Sequence, residues 1–219
     1  MNNFNLIITW HNEKDQLRYE ELIHCLEQNI NNKLIKRILI LVEEVDSQFN
    51  LPEIFKHEKI EYFIMKRKKR RNISYNDIIE FGIKNIDLNS PIIISNTDIY
   101  FDDTLSKITK KDLTTFLFAL TRINVFETRY DNTEAVWIPE CWSQDVWIYL
   151  NGSLEVRQEY EINLGWLGCD NRIAYEFDKY LNKVVNPAHS INCFHYHSQN
   201  GHKQLYDQYS YKYDGKGFK

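Results

Sequence analysis

Glycine, proline and cysteine are all scarce in this sequence, and each scarcity removes a class of function. Only 7 glycines occur in 219 residues, and none builds the glycine-rich loop whose backbone amides cradle a nucleoside triphosphate. With 4 prolines, no low-complexity linker and no internal repeat, the chain reads as one domain. The cysteines, Cys25, Cys141, Cys169 and Cys193, stand far apart with no CxxC or knuckle pair, which argues against structural zinc and thiol redox chemistry. Reduced thiols in a cytoplasmic compartment are the simplest reading. No apolar run approaches the roughly 20 residues of a membrane-spanning helix. The N-terminus lacks the basic region and apolar length of a signal peptide. Positive charge is not in excess either: the formal charge is −4 and the pI about 6.0, so nothing draws the whole chain toward nucleic acid.

Apolar residues make up 43% and aromatics 14%, enough to build a substantial core. Phe4–Trp10 reads as a first strand, followed by a loop at His11. Asp15 is placed to cap a helix whose Leu22, Cys25, Leu26 and Ile30 share a stripe. Ile35–Val42 and Ile60–Met65 are further strands, and Ser74 with Asp77 forms a capping-box-like start to a helix. Pro91–Ser95 is a short buried strand. Thr114–Phe126 reads as one long strand with room for a bend, and Gln144–Leu150 as an alternating one. A helix begins near Asp170 or Asn171, with Ile173, Phe177 and Leu181 at helical spacing. Short strands at Val184–Val185 and Ile191–Phe194 follow. This order predicts an α/β fold with a mixed, mainly parallel central sheet flanked by helices. The domain covers 1–197, and 198–219 form a polar, Tyr-rich tail or flap.

Three stretches carry candidate chemistry. In PIIISNTDIYFDD, Asn96 and Asp98 point the same way if the chain stays extended, at the strand edge where open α/β sheets hold ligands. Oxygen ligands there suit a hard cation carrying a diphosphate, although Asn and Asp also make ordinary turns. Asp98 sits at a strand end, so its loss should leave the fold intact, and Asp102 is a weaker second ligand. The basic run 66–71, KRKKRR, is either a solvated loop or an arm meeting anionic groups. In NLGWLGCDNR, Asp170 at a helix start is either a functional carboxylate or a plain N-cap. His195 and His197 share a face of an extended segment, and spacing does not choose between them.

Together these pieces resemble a nucleotide-sugar-dependent glycosyltransferase of the GT-A (Rossmann-related) fold, from Leu6 to about His197. The Thr9-Trp10-His11 loop is similar to the place where GT-A enzymes hold the base. YNDIIEFGIKN is similar to their Asn-containing helix, ISNTDIYFDDTL to the metal-binding DxD region, and NLGWLGCDNRIAYEF to the loop that carries the base of inverting members. SQDVWIY, LGCDNRIAYE and FHYH together are similar to a group of small bacterial and large-DNA-virus glycosyltransferase-like proteins. The resemblance implies sugar transfer from a nucleoside-diphosphate sugar, a UDP sugar above all, to a hydroxyl of a glycan acceptor, with inversion. Asp170 would be the catalytic base and Asp145 the competing acid, flanked by Trp142 and Trp147 as walls for a sugar. Thr9, His11, Arg67, Asn76, Asn96, Thr97 and Asp98 would bind the donor. Asp98 with His197 or His195 would hold Mn²⁺ or Mg²⁺. One departure stands out: the first carboxylate of the DxD motif is Asn96, which brings no charge. Two rival readings keep a related fold: a non-catalytic nucleotide-sugar or glycan-binding module with a decayed metal site, and a sugar nucleotidyltransferase.

Overall fold

The computed structural model of the chain describes residues 3–46, 48, 50–66, 73–127, 133–136, 144–181 and 183–197. Arg67 with the rest of the basic run beyond Lys66, Trp142, and the tail 198–219 lie outside these described residues.

Strand β1 (Phe4–Trp10) lies well inside the sheet because five of its seven residues are apolar and buried, on both faces. Asp15 caps α1 (Gln16–Asn31) by accepting from the Arg18 amide at 2.9 Å, and the expected stripe of Leu22, Cys25, Leu26 and Ile30 is buried. The chain continues through β2 (Ile35–Glu43) and β3 (Ile60–Met65). Ser74 and Asp77 form a full capping box at the start of α2 (Tyr75–Asn85), as their spacing predicts. Then come β4 (Pro91–Ser95), β5 (Ile99–Phe101), the short α3 (Lys110–Leu113), β6 (Leu117–Leu120), β7 (Ile123–Glu127), β8 (Thr133–Val136) and β9 (Val146–Leu150). Helix α4 (Cys169–Leu181), β10 (Val184–Val185) and β11 (Cys193–His197) complete the described elements.

Seven strands form the main sheet in the order β10-β6-β9-β4-β1-β2-β3. All its pairings are parallel except the two made by β9. One face packs Leu6, Ile8, Ile38, Ile40 and Ile148 against Leu22 and Leu26 of α1. The other packs Ile7, Leu39, Ile92 and Tyr149 against α2 and α4 through Ile78, Ile79, Ile173 and Phe177. This is the mixed, mainly parallel sheet flanked by helices that the sequence predicts. A second sheet, β5-β11-β7-β8, lies beside it. Asn29 of α1 ties the helix to β5, donating to the Ile99 carbonyl at 2.8 Å and accepting from the Phe101 amide at 3.2 Å.

Two expectations change. Thr114–Phe126 is not one strand: β6 belongs to the main sheet, β7 to the second, and the chain changes sheets at Thr121-Arg122. A charged residue inside an apolar run marks the break. Nor does β9 alternate, since all five of its residues are buried. It is inserted antiparallel between β4 and β6 with both faces covered. Trp147 is therefore core, its ring edge-on to Tyr75 at 4.9 Å, and not a wall for a sugar.

Candidate functional site

A cavity of about 670 Å³ opens at the carboxyl ends of the parallel strands. Strand β2 lies on one side of β1 and β4 on the other, so the order of the sheet reverses there. Open α/β sheets bind ligands at such a reversal. The residues after β1 (His11), β2 (Asp46) and β4 (Asn96, Thr97, Asp98) reach the cavity. Because β9 runs antiparallel, its beginning lies at the same edge: the Asn96 amide donates to the Asp145 carbonyl at 3.3 Å.

The loop carrying Asp170 is fixed over this edge by main-chain bonds. The Tyr75 amide donates to Ile162, and the Leu164 amide to Ile73, both at 3.0 Å. Gly165 and Gly168 turn the chain with φ of 76° and 79°, conformations open to glycine. Trp166 and Leu167 between them are exposed at the cavity mouth.

Asp170 stands in the first turn of α4. Tyr75 Oη donates to its Oδ1 at 3.2 Å and Cys169 Sγ at 3.3 Å. Both donors keep their protons, since burial holds the Tyr75 hydroxyl well above its usual value and pushes the Cys169 thiol up to about 11. Burial, with the charge of Asp145 behind it, raises the Asp170 carboxyl to about 6, and these bonds and Arg122 only partly oppose the rise. Asp145 is 1% exposed. Its Oδ1 accepts from Arg122 Nη1 at 2.8 Å and from Asn96 Nδ2 at 2.9 Å. The amide that replaces the first DxD carboxylate thus serves Asp145.

Asp98 and His195 meet, but in a hydrogen bond to each other. His195 Nε2–H donates to Asp98 Oδ2 at 2.7 Å, and Arg18 Nη2 donates to the same oxygen. Burial works to raise the Asp98 carboxyl, yet His195 and Arg18 outweigh it and hold it far below the usual carboxylate range. Arg18 also donates Nη1 to Glu21 at 2.7 Å. The premise that Asp98 stands outside the core does not hold, since it is buried and accepts from both Arg18 and His195, so its removal should cost stability. His197 ends β11, and its side chain lies outside what is described. Asp102 caps a short 3-10 turn at Thr104 and accepts from Asn192 Nδ2 at 2.9 Å.

These residues fit a divalent cation poorly. Among the described residues no three His, Cys, Asp or Glu side chains gather to hold one. His195 Nε2 and Arg18 Nη2 both donate to Asp98 Oδ2, so a cation on that oxygen would have to displace one of them, while Oδ1 is buried with no hydrogen-bond partner among the described residues. Unit charges about 4 Å apart interact by about 4 kcal/mol at an effective dielectric of 20, and a divalent ion beside this guanidinium would meet about twice that repulsion.

Of the other expected donor contacts, Thr9, His11, Asn96 and Thr97 line the cavity, and the Thr97 hydroxyl donates to the Thr9 carbonyl. Asn76 does not: it accepts from the Arg157 amide and donates to Glu161, each at 3.0 Å. Sequence reasoning missed Arg18, Arg122 and Tyr75. Arg18 did leave a signal, a cation in the first helical turn, where the helix dipole disfavours it.

No family model matches the sequence, and neither does any curated protein. Solved structures do share its fold. A protein from Desulfovibrio desulfuricans described as a nucleotide-diphospho-sugar transferase aligns over 97% of this chain and 90% of its own, at 9% identity and a TM-score of 0.52. A 4-diphosphocytidyl-2C-methyl-D-erythritol synthase from Anaerococcus prevotii aligns over 84% and 87%, at 15% identity and a TM-score of 0.45. HddC from Yersinia pseudotuberculosis aligns over 89% and 90%, at 12% identity and a TM-score of 0.43. What the chain shares with the first of these is its fold.

Proposed function

We propose that the chain transfers a sugar from a nucleoside-diphosphate sugar, a UDP sugar first among candidates, to an acceptor hydroxyl. The observation that carries this reading is Asp170: a carboxyl raised to about 6, held by two donors, at a cavity on the switch point of the sheet. A base with that affinity for protons is ionised at neutral pH and still strong enough to accept one.

The chemistry follows from placement. The donor lies across the ends of β1 and β4, with its base toward Trp10 and His11. The acceptor enters beneath Trp166 and Leu167. As its oxygen attacks the anomeric carbon, its proton passes to Asp170 and the bond from that carbon to the diphosphate breaks. Attack from the side opposite the diphosphate inverts the anomeric centre. Asp145, locked by Arg122 and Asn96, supplies the negative charge that keeps Asp170 basic.

A glycosyl-transfer and hydrolysis assay over a panel of nucleotide sugars tests the reading. Release of nucleoside diphosphate, lost in Asp170→Asn, is the expected result. The pairing of Asp98 with Arg18 favours a second reading, a nucleotide-sugar-binding module without catalysis. Binding with no turnover on any donor would select it. Formation of diphosphate from a nucleoside triphosphate would instead mark a nucleotidyltransferase.

A further inference from the structure

The DxD-like segment poses a charge problem. A nucleoside diphosphate brings two or more negative charges into a cavity already lined by Asp46, Asp98, Asp145 and Asp170, so a cation must face it. Of the residues expected to hold a metal, Asp98 and His195 are engaged with each other, and the cation found on Asp98 is a guanidinium. We propose that Arg18 does the work of the divalent ion: it binds the donor diphosphate directly, and donor binding needs no metal.

This rests on the nucleotide-sugar reading above and deepens it. Arg18 lies in the first turn of α1, immediately after the loop that follows β1, and it lines the cavity beside Thr97 and Asp98. Its side chain keeps about a quarter of its surface exposed. A guanidinium has five N–H donors. Glu21 and Asp98 each take one, and the others, which bond no further described residue, can meet phosphate oxygens, which a planar fork suits. Its two carboxylate partners hold the group in place before the ligand arrives. Asp98 in turn is anchored from behind by His195, so α1, the β4–β5 loop and β11 all fix the position of this one charge. On this reading Asp98 is a positioning residue for Arg18, and Asn96 is released from ligation to support Asp145.

Calorimetric titration of UDP, GDP, CDP and ADP into the full chain, in EDTA and again in Mn²⁺, tests the proposal. The expected result is that the best-bound nucleotide binds equally well in both. Arg18→Met should weaken binding in EDTA by roughly 10- to 100-fold, the worth of a charge-assisted contact. Arg18→Met combined with Asp98→Asn should show the same loss while leaving no unpaired buried carboxylate. Binding at least about tenfold weaker in EDTA than in Mn²⁺ for the unaltered chain would overturn the proposal and leave the nucleotide-sugar reading standing. So would unchanged affinity in a folded Arg18 variant. Absence of binding by all four nucleotides in both buffers would overturn both.

Discussion

At the scale of the residue, the site is a set of carboxylates with opposed environments. Asp170 is raised to about 6, so turnover should climb with pH through about that value, as a base must be ionised to act. Asp170→Asn keeps size and removes the base, and turnover should fall about 10²- to 10⁴-fold with donor affinity little changed. Asp145→Asn removes the charge that helps raise Asp170, so the acidic limb of the pH–rate profile should move to lower pH. An unmoved limb would show that Asp145 does not govern the base. The same shift has a stability consequence. The folded chain holds the Asp170 proton more tightly than the unfolded chain does, so the ionised group destabilises the fold above about pH 6. Asp170→Asn should raise the melting temperature at about pH 8, and the gain should vanish below about pH 4, where both states are protonated. Asp98 is the opposite case: its lowered carboxyl contributes stability that is fully present above its unfolded value near 4 and is lost progressively as pH falls below it. Breaking such a pair strands the partners, so Asp98→Asn should cost about 3 kcal/mol in urea unfolding.

At the scale of the element, Ser74→Ala should cost about 1 kcal/mol, since it removes half of the α2 capping box. Gly168→Ala isolates backbone strain: an added Cβ meets nothing within 4 Å, but φ is +79°, so about 1–2 kcal/mol should be lost with no steric clash. Urea unfolding of the two variants checks both values. Elements of this kind are legible in sequence because their signals are local. Asp15 and Ser74 cap helices through amides three residues on, and the stripe of α1 repeats within two turns. The β4 strand with Asn96, Thr97 and Asp98 after it is legible for the same reason. The contacts of Asp98 are not, because Arg18 and His195 stand 80 and 97 residues from it, and spacing says nothing over such distances. Arg122 marks an interruption in its apolar stretch, but that the interruption is a change of sheet is not legible, for a related reason. A run of strand-forming residues does not say which neighbours it pairs with. Trp147 was misread as a cavity wall because an antiparallel strand in mid-sheet is covered on both faces, and no local pattern announces that.

At the scale of the whole molecule, the cavity is assembled from parts that are distant in sequence: the ends of β1, β2 and β4, the turn into α1, the sheet-changing segment at Arg122 and the loop before α4. On the proposed reading, a donor would bind there only when all of them are in place. At about a hundred times its dissociation constant it should stabilise the chain by about 2.7 kcal/mol, visible as one upward shift of a single thermal transition. Among the described residues no helix is long and apolar enough to cross a membrane.

The exposed Trp166 gives the molecule an optical handle. Trp10 and Trp147 are buried in the interior, whereas Trp166 is 62% exposed at the cavity mouth. Its indole should emit at longer wavelength than the interior pair and be reached by iodide, which does not penetrate the packed core. The difference spectrum between the unaltered chain and Trp166→Phe isolates that emission. Quenching measured on it, with and without acceptor, then reads occupancy of the mouth directly. A loop whose tryptophan is shielded as acceptor is added is one that closes on its substrate. A loop whose tryptophan stays open to iodide leaves the acceptor in contact with water throughout the transfer.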